Sequence, residues 1–170
     1  MRFMKTIIHV TLIIIALVMV MGCTQGPPAY EKAYLGMPLK ELLSSYSEAK
    51  KVRGVPDDKG VEVVEYSLPP EGNVKRAGYF FQNDLLIGMV IMYSRDSDFD
   101  YLANQLALKN GKPTQIKTVD NTKGAHWRRS DSYIMLLHGI KGTQIKLPIG
   151  KTDEIKPEEI ILIIGKRPEE

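Results

Sequence analysis

The stretch Y-F-F-Q-N-D-L-L-I-G-M-V-I-M-Y, residues 79–93, decides the fold of this 170-residue chain. Three aromatic residues lead into Gln-Asn-Asp at 82–84, which is typical of a tight turn, and an apolar run follows at 85–93. Two apolar runs joined by such a turn predict a β-hairpin. The second run is apolar on both of its faces, so it predicts a central strand that is covered on both sides.

Two helical patterns flank this hairpin in the sequence. In the first, Pro38 suits an opening turn, and apolar residues recur at helical spacing up to Ala49, with cations following at 50–53. The second pattern has an N-cap at 96–98 and runs from Phe99 to a stop at 110–111. Further strands are predicted at 61–68, 116–119, 125–129, 133–140, 143–149 and 159–165. The sequence therefore predicts an α+β fold, an antiparallel sheet with two helices packed on it.

The two halves of the chain have the same order of elements. Each begins with a helix, continues with a strand and then forms a tight hairpin, turned at 83–84 in one half and at 130–131 in the other. This order suggests a duplicated helix-plus-hairpin unit, although few residue identities match.

The N-terminal segment has the pattern of a secretory signal peptide. Arg2 and Lys5 precede an uncharged, mostly aliphatic stretch of 16 residues at 6–21, and the small Gly22 follows. The alternative is a membrane-spanning anchor. A span needs about 20 apolar residues, so the shorter stretch favours cleavage.

Val20-Met21-Gly22-Cys23 resembles the lipobox of bacterial lipoprotein signal peptides. The resemblance implies that the Cys23 thiol receives a diacylglyceryl group, that the peptide 1–22 is removed, and that the new amine is acylated. It places the chain in the cell envelope, on the periplasmic face of the outer or inner membrane or at the cell surface. Thr24 in place of aspartate allows the outer membrane. Cys23 is the only cysteine, so the chain forms no internal disulfide and the lipid is the only covalent group expected.

The mature chain divides into a short linker at 23–34, one domain at 35–165 and a polar tail at 166–170. Without Arg2 and Lys5, 21 basic residues stand against 20 acidic ones. This balance does not indicate a nucleic-acid partner, which would need a clearly basic surface.

Candidate functional residues cluster in the second hairpin. His126 and His138 could face each other and form a metal site or a pocket, but no third ligand is evident, and ordinary sheet positions are favoured. Trp127, Arg128 and Arg129 have the composition of an interaction hot spot. The favoured alternative places Trp127 in the core and Arg128 in solvent. No catalytic constellation and no metal site is predicted.

The segment at 35–42, Leu-Gly-Met-Pro-Leu-Lys-Glu-Leu, and the sheet after it resemble the opening of small outer-membrane-assembly lipoproteins of the SmpA/BamE type, over about residues 35–93. That resemblance implies helices on a small antiparallel sheet and a scaffold role. The pattern Leu-x-x-Lys-x-Gly-x-Pro at 106–113, before Trp127, is similar to uncharacterised bacterial envelope proteins and implies no known activity.

Together these features predict a lipid-anchored, non-catalytic binding or scaffold module with envelope proteins as partners. Two alternatives remain open. One is a small ligand-binding protein or enzyme with a pocket near His126 and His138. The other is binding of lipid or peptide on an open face of the sheet.

Overall fold

The computed structural model describes residues 32–56, 60–94, 96–119, 122–139, 143–146, 152–155 and 159–167. The predicted signal peptide at 1–22 and the lipidation site Cys23 lie outside these ranges. Within them, no helix has the length and apolar character needed to cross a membrane.

The described part of the chain holds two α-helices and ten strands. The helices are α1 (Leu39–Ser45) and α2 (Phe99–Asn110). The strands are β1 (Lys50–Pro56), β2 (Glu62–Leu68), β3 (Val74–Gln82), β4 (Leu85–Tyr93), β5 (Gln115–Val119), β6 (Thr122–Arg128), β7 (Ser132–His138), β8 (Thr143–Lys146), β9 (Thr152–Ile155) and β10 (Ile160–Lys166).

Eight of these strands form one antiparallel sheet in the order β1-β2-β3-β4-β10-β7-β6-β5. Strands β8 and β9 form a separate two-stranded sheet. Strands β1 and β5 therefore lie at the two edges of the large sheet, and β4 pairs with β10 at its centre. The predicted α+β fold with an antiparallel sheet is confirmed, but strands dominate it more than expected.

The hairpin at 79–93 forms as predicted. Asn83 and Asp84 join β3 to β4 with φ angles of 51° and 60°. A two-residue turn with both φ angles positive matches the twist of the flanking strands, and Asn and Asp tolerate that conformation well. Strand β4 is central because β3 and β10 pair with its two sides.

The first predicted helix is too long. Helix α1 ends at Ser45, and Tyr46 leaves the helical region with φ −135° and ψ 81°. The sequence pattern assigned residues 50–53 to the end of this helix. They instead belong to the edge strand β1, which spans 50–56 and pairs antiparallel with β2. Serines at 44, 45 and 47 are weak helix formers, so sheet pairing outweighs the helical spacing of the apolar residues.

Helix α2 follows the prediction at both ends. The Asp98 side chain accepts hydrogen bonds from the backbone N–H groups of Asp100 at 2.8 Å and Tyr101 at 3.2 Å. Gly111 follows the helix with φ 78°, a value that glycine adopts without strain.

The two faces of the large sheet differ. On the helix face, side chains of both helices join strand residues in the larger apolar cluster, with Leu42, Phe99, Leu102 and Leu106 from the helices. The opposite face, here called the second face, carries a smaller cluster whose buried members are Val63, Phe80, Ile161 and Ile163. Among the described residues, no helix residue belongs to that cluster.

Candidate functional site

The two histidines of the second hairpin are not brought together. His126 lies opposite Met135, and His138 lies opposite Lys123. Directly opposite residues share a face of a sheet, and Met135 belongs to the second face. His138 instead stacks on Phe99 of α2, with ring centroids 6.4 Å apart. A pocket joining both histidines is therefore not formed. Among the described residues, no group of three or more His, Cys, Asp or Glu could hold a metal ion.

The second candidate, at residues 127–129, is divided between core and surface. Trp127 is only 2% exposed, and its Nε1 donates to the backbone oxygen of Gly111 at 2.8 Å. Arg128 and Arg129 are exposed, and Nη2 of Arg129 donates to Oδ1 of Asn110 at 2.6 Å. The indole ring is thus unavailable to a partner, and only the two guanidinium groups face solvent.

A different concave feature lies at the surface. An open cleft of about 330 Å³ lies where the end of α1 meets the loop after β2. One wall is residues 45–48 and the other is residues 68–71. We call it the Tyr46 cleft, after the largest side chain that lines it.

The local sequence fixes both walls. Tyr46 closes α1 by donating its backbone N–H to the oxygen of Leu42 at 2.8 Å. On the other wall, two prolines at 69–70 end β2 because proline has no N–H for the ladder. Glu71 and Val74 then exchange backbone hydrogen bonds of 3.2 Å and 2.9 Å around Gly72, whose φ is 57°. This turn holds Glu71 at the rim.

A buried hydroxyl group lies behind the cleft. Tyr79, on β3, exposes none of its surface, and its ring centroid is 6.4 Å from that of Tyr46. Its hydroxyl is the one buried side-chain polar atom of the described residues that has no hydrogen-bond partner. Leaving such a group unpaired costs about 1–3 kcal/mol. Buried polar groups without a protein partner are rare in folded proteins, and such groups commonly bond buried water.

The electrostatics of the cleft are negative. Glu48 and Glu71 stand one on each wall, and the described residues that line the cleft include no lysine or arginine. Burial raises the pKa of Tyr79, and the electrostatic effects of Tyr46 and Glu71 raise it further. Burial also raises the pKa of Tyr46, with an added effect of Glu71 and a smaller opposing one from a hydrogen bond with the backbone of Lys32. Both phenols therefore stay protonated and neutral at neutral pH.

Sequence reasoning did not find this site. The aromatic run at 79–81 indicated that one ring must point away from the others, but not which one. The register places Tyr79 and Phe81 on the helix face and Phe80 on the second face. The cleft also joins segments at least 20 residues apart, 45–48 and 68–71, and no local pattern signals that contact.

The second face of the sheet is the other notable surface. Its buried centre is surrounded by half-buried apolar side chains: Ile87, Val90, Met92, Tyr133, Met135 and Leu137. The Tyr133 ring lies over Gly165, where a Cβ atom would be 2.7 Å from the tyrosine Oη. Glycine there lets the ring lie flat on the sheet.

A charged cluster borders the apolar part of the second face. The Glu65 carboxylate is almost completely buried and accepts hydrogen bonds from Nε of Arg53 at 2.9 Å and Nη2 of Arg76 at 3.0 Å. Each arginine side chain is about half exposed. The cluster therefore neutralises a buried charge and leaves cationic groups at the edge of the face.

Comparisons with protein-family models, with curated proteins and with solved structures found no match. The likeness to SmpA/BamE-type lipoproteins stays a prediction from residues 35–93, and the likeness to the lipobox stays a prediction from residues 20–23.

Proposed function

We propose that this chain is an envelope lipoprotein, anchored through a lipid on Cys23, whose α+β domain binds other envelope components without catalysis. Support for the anchor comes from residues 20–23, which lie at the end of an uncharged apolar stretch and contain the only cysteine. Two or more acyl chains give stable membrane attachment, whereas one gives only marginal binding. With a linker of about a dozen residues, the domain would stay close to the membrane.

The binding role rests on one observation, the apolar second face. Helix residues pack on the opposite face, while Val90, Met92, Met135 and Leu137 remain half-buried around the centre of the second face. Apolar side chains that stay partly accessible on one face of a sheet can contact a partner, as they do in protein interaction sites. Methionine side chains are flexible and polarisable, so they adapt to the shape of a partner.

A pull-down from detergent-solubilised envelope tests this proposal. Met92→Lys places a charge at the edge of the apolar surface, and we expect it to abolish recovery of partners that the wild type retains. Leu108→Lys is the matched control because Leu108 is 81% exposed on α2. Circular dichroism confirms that both variants are folded. Recovery of no stable partner by the wild type would contradict the binding role.

The geometry does not support the alternative of a pocket shared by His126 and His138, because these residues lie on opposite faces of the sheet. A metal or substrate that shifts the NMR signals of both imidazoles together would support a shared pocket.

We also propose that the domain is a duplicated unit of one helix and four strands. The strand order supports this, because β1-β2-β3-β4 and β5-β6-β7-β10 fill the two halves of the sheet from opposite edges. Each helix precedes its own set of strands, and the two last strands pair antiparallel at the centre, as a two-fold relation requires. Two co-expressed fragments, divided between β4 and α2, should reassemble into one folded complex. Failure of the fragments to associate would contradict the proposal.

A further inference from the structure

We propose that the partner of the second face is an acidic polypeptide segment, and that one of its carboxylates binds between Arg53 and Arg76. This inference rests on the proposed binding role of the second face and adds the chemistry of the partner. It is carried by the distribution of charge on that face, where cationic side chains stand on both sides of the apolar ones.

The two arginines are held together by a buried anion. The Glu65 carboxylate is buried between them and contacts Nε of Arg53 and Nη2 of Arg76 through different oxygens, whereas each arginine side chain is about half exposed. Gly78 on β3 leaves room for this carboxylate, because a Cβ atom there would be 3.2 Å from Oε1 of Glu65. The two guanidinium groups, here called the arginine pair, are therefore fixed close together at the surface.

Most of the hydrogen-bonding capacity of the arginine pair is unused. Arg53 bonds Glu65 through Nε alone and Arg76 through Nη2 alone, and the described residues supply neither group with another partner. A guanidinium group has five N–H donors. One arginine already balances the charge of Glu65, so the pair carries a surplus positive charge as well as free donors. A carboxylate suits such a site, because its two oxygens accept parallel N–H bonds from arginine.

Two further cations lie on the other side of the second face. Arg128 is directly opposite Tyr133, and Lys117 is opposite Gly124, which itself lies opposite Leu137. Directly opposite residues share a face of a sheet, and Tyr133 and Leu137 belong to the second face. Both cationic side chains are exposed. The apolar side chains of the second face therefore lie between the arginine pair and a second cationic region.

Acidic residues do not balance these cations. Within the eight described strands of the large sheet, the acidic residues are Glu62 and Glu65. Glu62 precedes Val63 of the second face and so points to the opposite face, since successive side chains of a strand alternate. The charge of Glu65 is already paired. The second face is therefore complementary to a partner that combines carboxylates with apolar side chains.

Two other occupants fit less well. Apolar groups that bind a membrane surface insert about 5–10 Å into it, whereas the accessible apolar side chains of the second face are half-buried among their neighbours. The chain also enters the domain on the helix face, where Ala33 packs on the larger cluster and Tyr34 donates to Glu41 of α1. A second copy of the chain would bring its own cations against those of the first, and like charges in an interface are costly.

Fluorescence anisotropy with the mature chain, made without its lipid, tests the proposal. The probe is a labelled, end-capped amphipathic peptide of leucine and glutamate, and its control has lysine in place of every glutamate. We expect the glutamate peptide to bind about tenfold more tightly than the lysine peptide and to shift the NMR amide signals of β4 and β7. Flotation with phosphatidylglycerol vesicles tests for a membrane, and sedimentation of the chain alone tests for self-association. We expect no binding to the vesicles and a monomer in sedimentation.

Variants on one strand locate the binding groups. Arg53→Gln should weaken binding of the glutamate peptide about tenfold, because charge-assisted hydrogen bonds are lost while Arg76 still pairs with Glu65. Arg53→Lys keeps the charge without the planar group and should weaken binding less. Lys51→Gln is the matched control, since Lys51 is an exposed cation of the same strand that lies opposite Tyr66 of the helix face. It should bind the peptide as the wild type does, and circular dichroism confirms that each variant is folded.

The proposal is wrong if the two peptides bind equally or if the folded Arg53→Gln variant keeps full affinity. Vesicle binding without peptide binding would assign the face to a membrane, and a dimer that excludes the peptide would assign it to a second copy; either result also overturns the proposal. The envelope pull-down separates this failure from failure of the proposed function. A wild type that recovers partners but ignores the glutamate peptide keeps its binding role and loses only the acidic preference.

Discussion

Removal of both arginines around Glu65 should destabilise the domain far more than removal of either one. The Glu65 carboxylate is nearly inaccessible to water, and the guanidinium groups of Arg53 and Arg76 each contact a different one of its oxygens. In Arg53→Ala or Arg76→Ala, the carboxylate keeps one cationic partner. In the double variant, it keeps neither.

The exposure of the three side chains sets the magnitudes. Each arginine side chain is about half exposed, 48% for Arg53 and 53% for Arg76, so solvent screens each contact and a single replacement should cost about 1 kcal/mol. The double variant leaves a buried charge without a partner, which costs about 3–5 kcal/mol. The two replacements should therefore be non-additive by about 1–3 kcal/mol.

Urea unfolding followed by circular dichroism measures these free energies. Glu65→Gln in the double background should recover most of the loss, because a neutral amide is cheaper to bury than an unpaired carboxylate. Lys123→Ala is the control for an exposed ion pair, since Lys123 and Asp100 are 47% and 69% exposed, and it should cost less than about 1 kcal/mol. A double variant that loses no more than the two single variants combined would refute the reasoning.

Three further predictions test other parts of the structure. Gly165→Ala should cost about 1–3 kcal/mol in urea unfolding because the new methyl group meets the Tyr133 ring; an equal cost in a Tyr133→Val background would contradict this. Trp127→Phe should cost about 1–3 kcal/mol in thermal unfolding, since it removes the indole hydrogen bond to the backbone oxygen after α2; an unchanged melting temperature would show that the bond contributes nothing. Burial, assisted by Arg128, lowers the pKa of His126 from its ordinary 6.5, so stability should be full above that pH and should decline as the pH falls below it. His126→Gln should flatten that decline, and an NMR titration giving His126 an ordinary or raised pKa would contradict the assignment.

Sequence patterns predicted the elements whose signals are local. The turn at Asn83 and Asp84, the N-cap Asp98 and the terminating Gly111 each act within a few residues of themselves. Strand β4 and helix α2 therefore have nearly the expected bounds, whereas β3 begins at Val74, five residues before the predicted Tyr79. Strand β9 (Thr152–Ile155) was missed, because four mostly polar residues carry no strand signal of their own.

Non-local pairing explains the remaining differences. Apolar residues up to Ala49 fit a helical repeat, yet residues 50–56 pair with β2, and nothing within α1 signals that pairing. Similarly, the contact of β4 with β10 joins segments about 70 residues apart. Strand order of this kind depends on which apolar faces pack together across the whole chain.

The candidate site was unpredictable for the same reason. Which face His126, His138 or Tyr79 occupies depends on strand register, and a shift by one residue reverses it. The Tyr46 cleft arises only when the end of α1 approaches the β2–β3 loop. The Glu65 cluster likewise needs three neighbouring strands in register.

Mass spectrometry of the full chain, isolated from the membrane fraction of a bacterial host, tests the central claim of a lipid-anchored envelope module most directly. We expect a mature chain that begins at Cys23 and carries a diacylglyceryl group on its thiol with an acyl group on its amine. A Cys23→Ala variant should lack both groups and keep residues 1–22. A wild-type chain that retains Met1 and an unmodified Cys23 would contradict the claim and would indicate a membrane-spanning anchor instead.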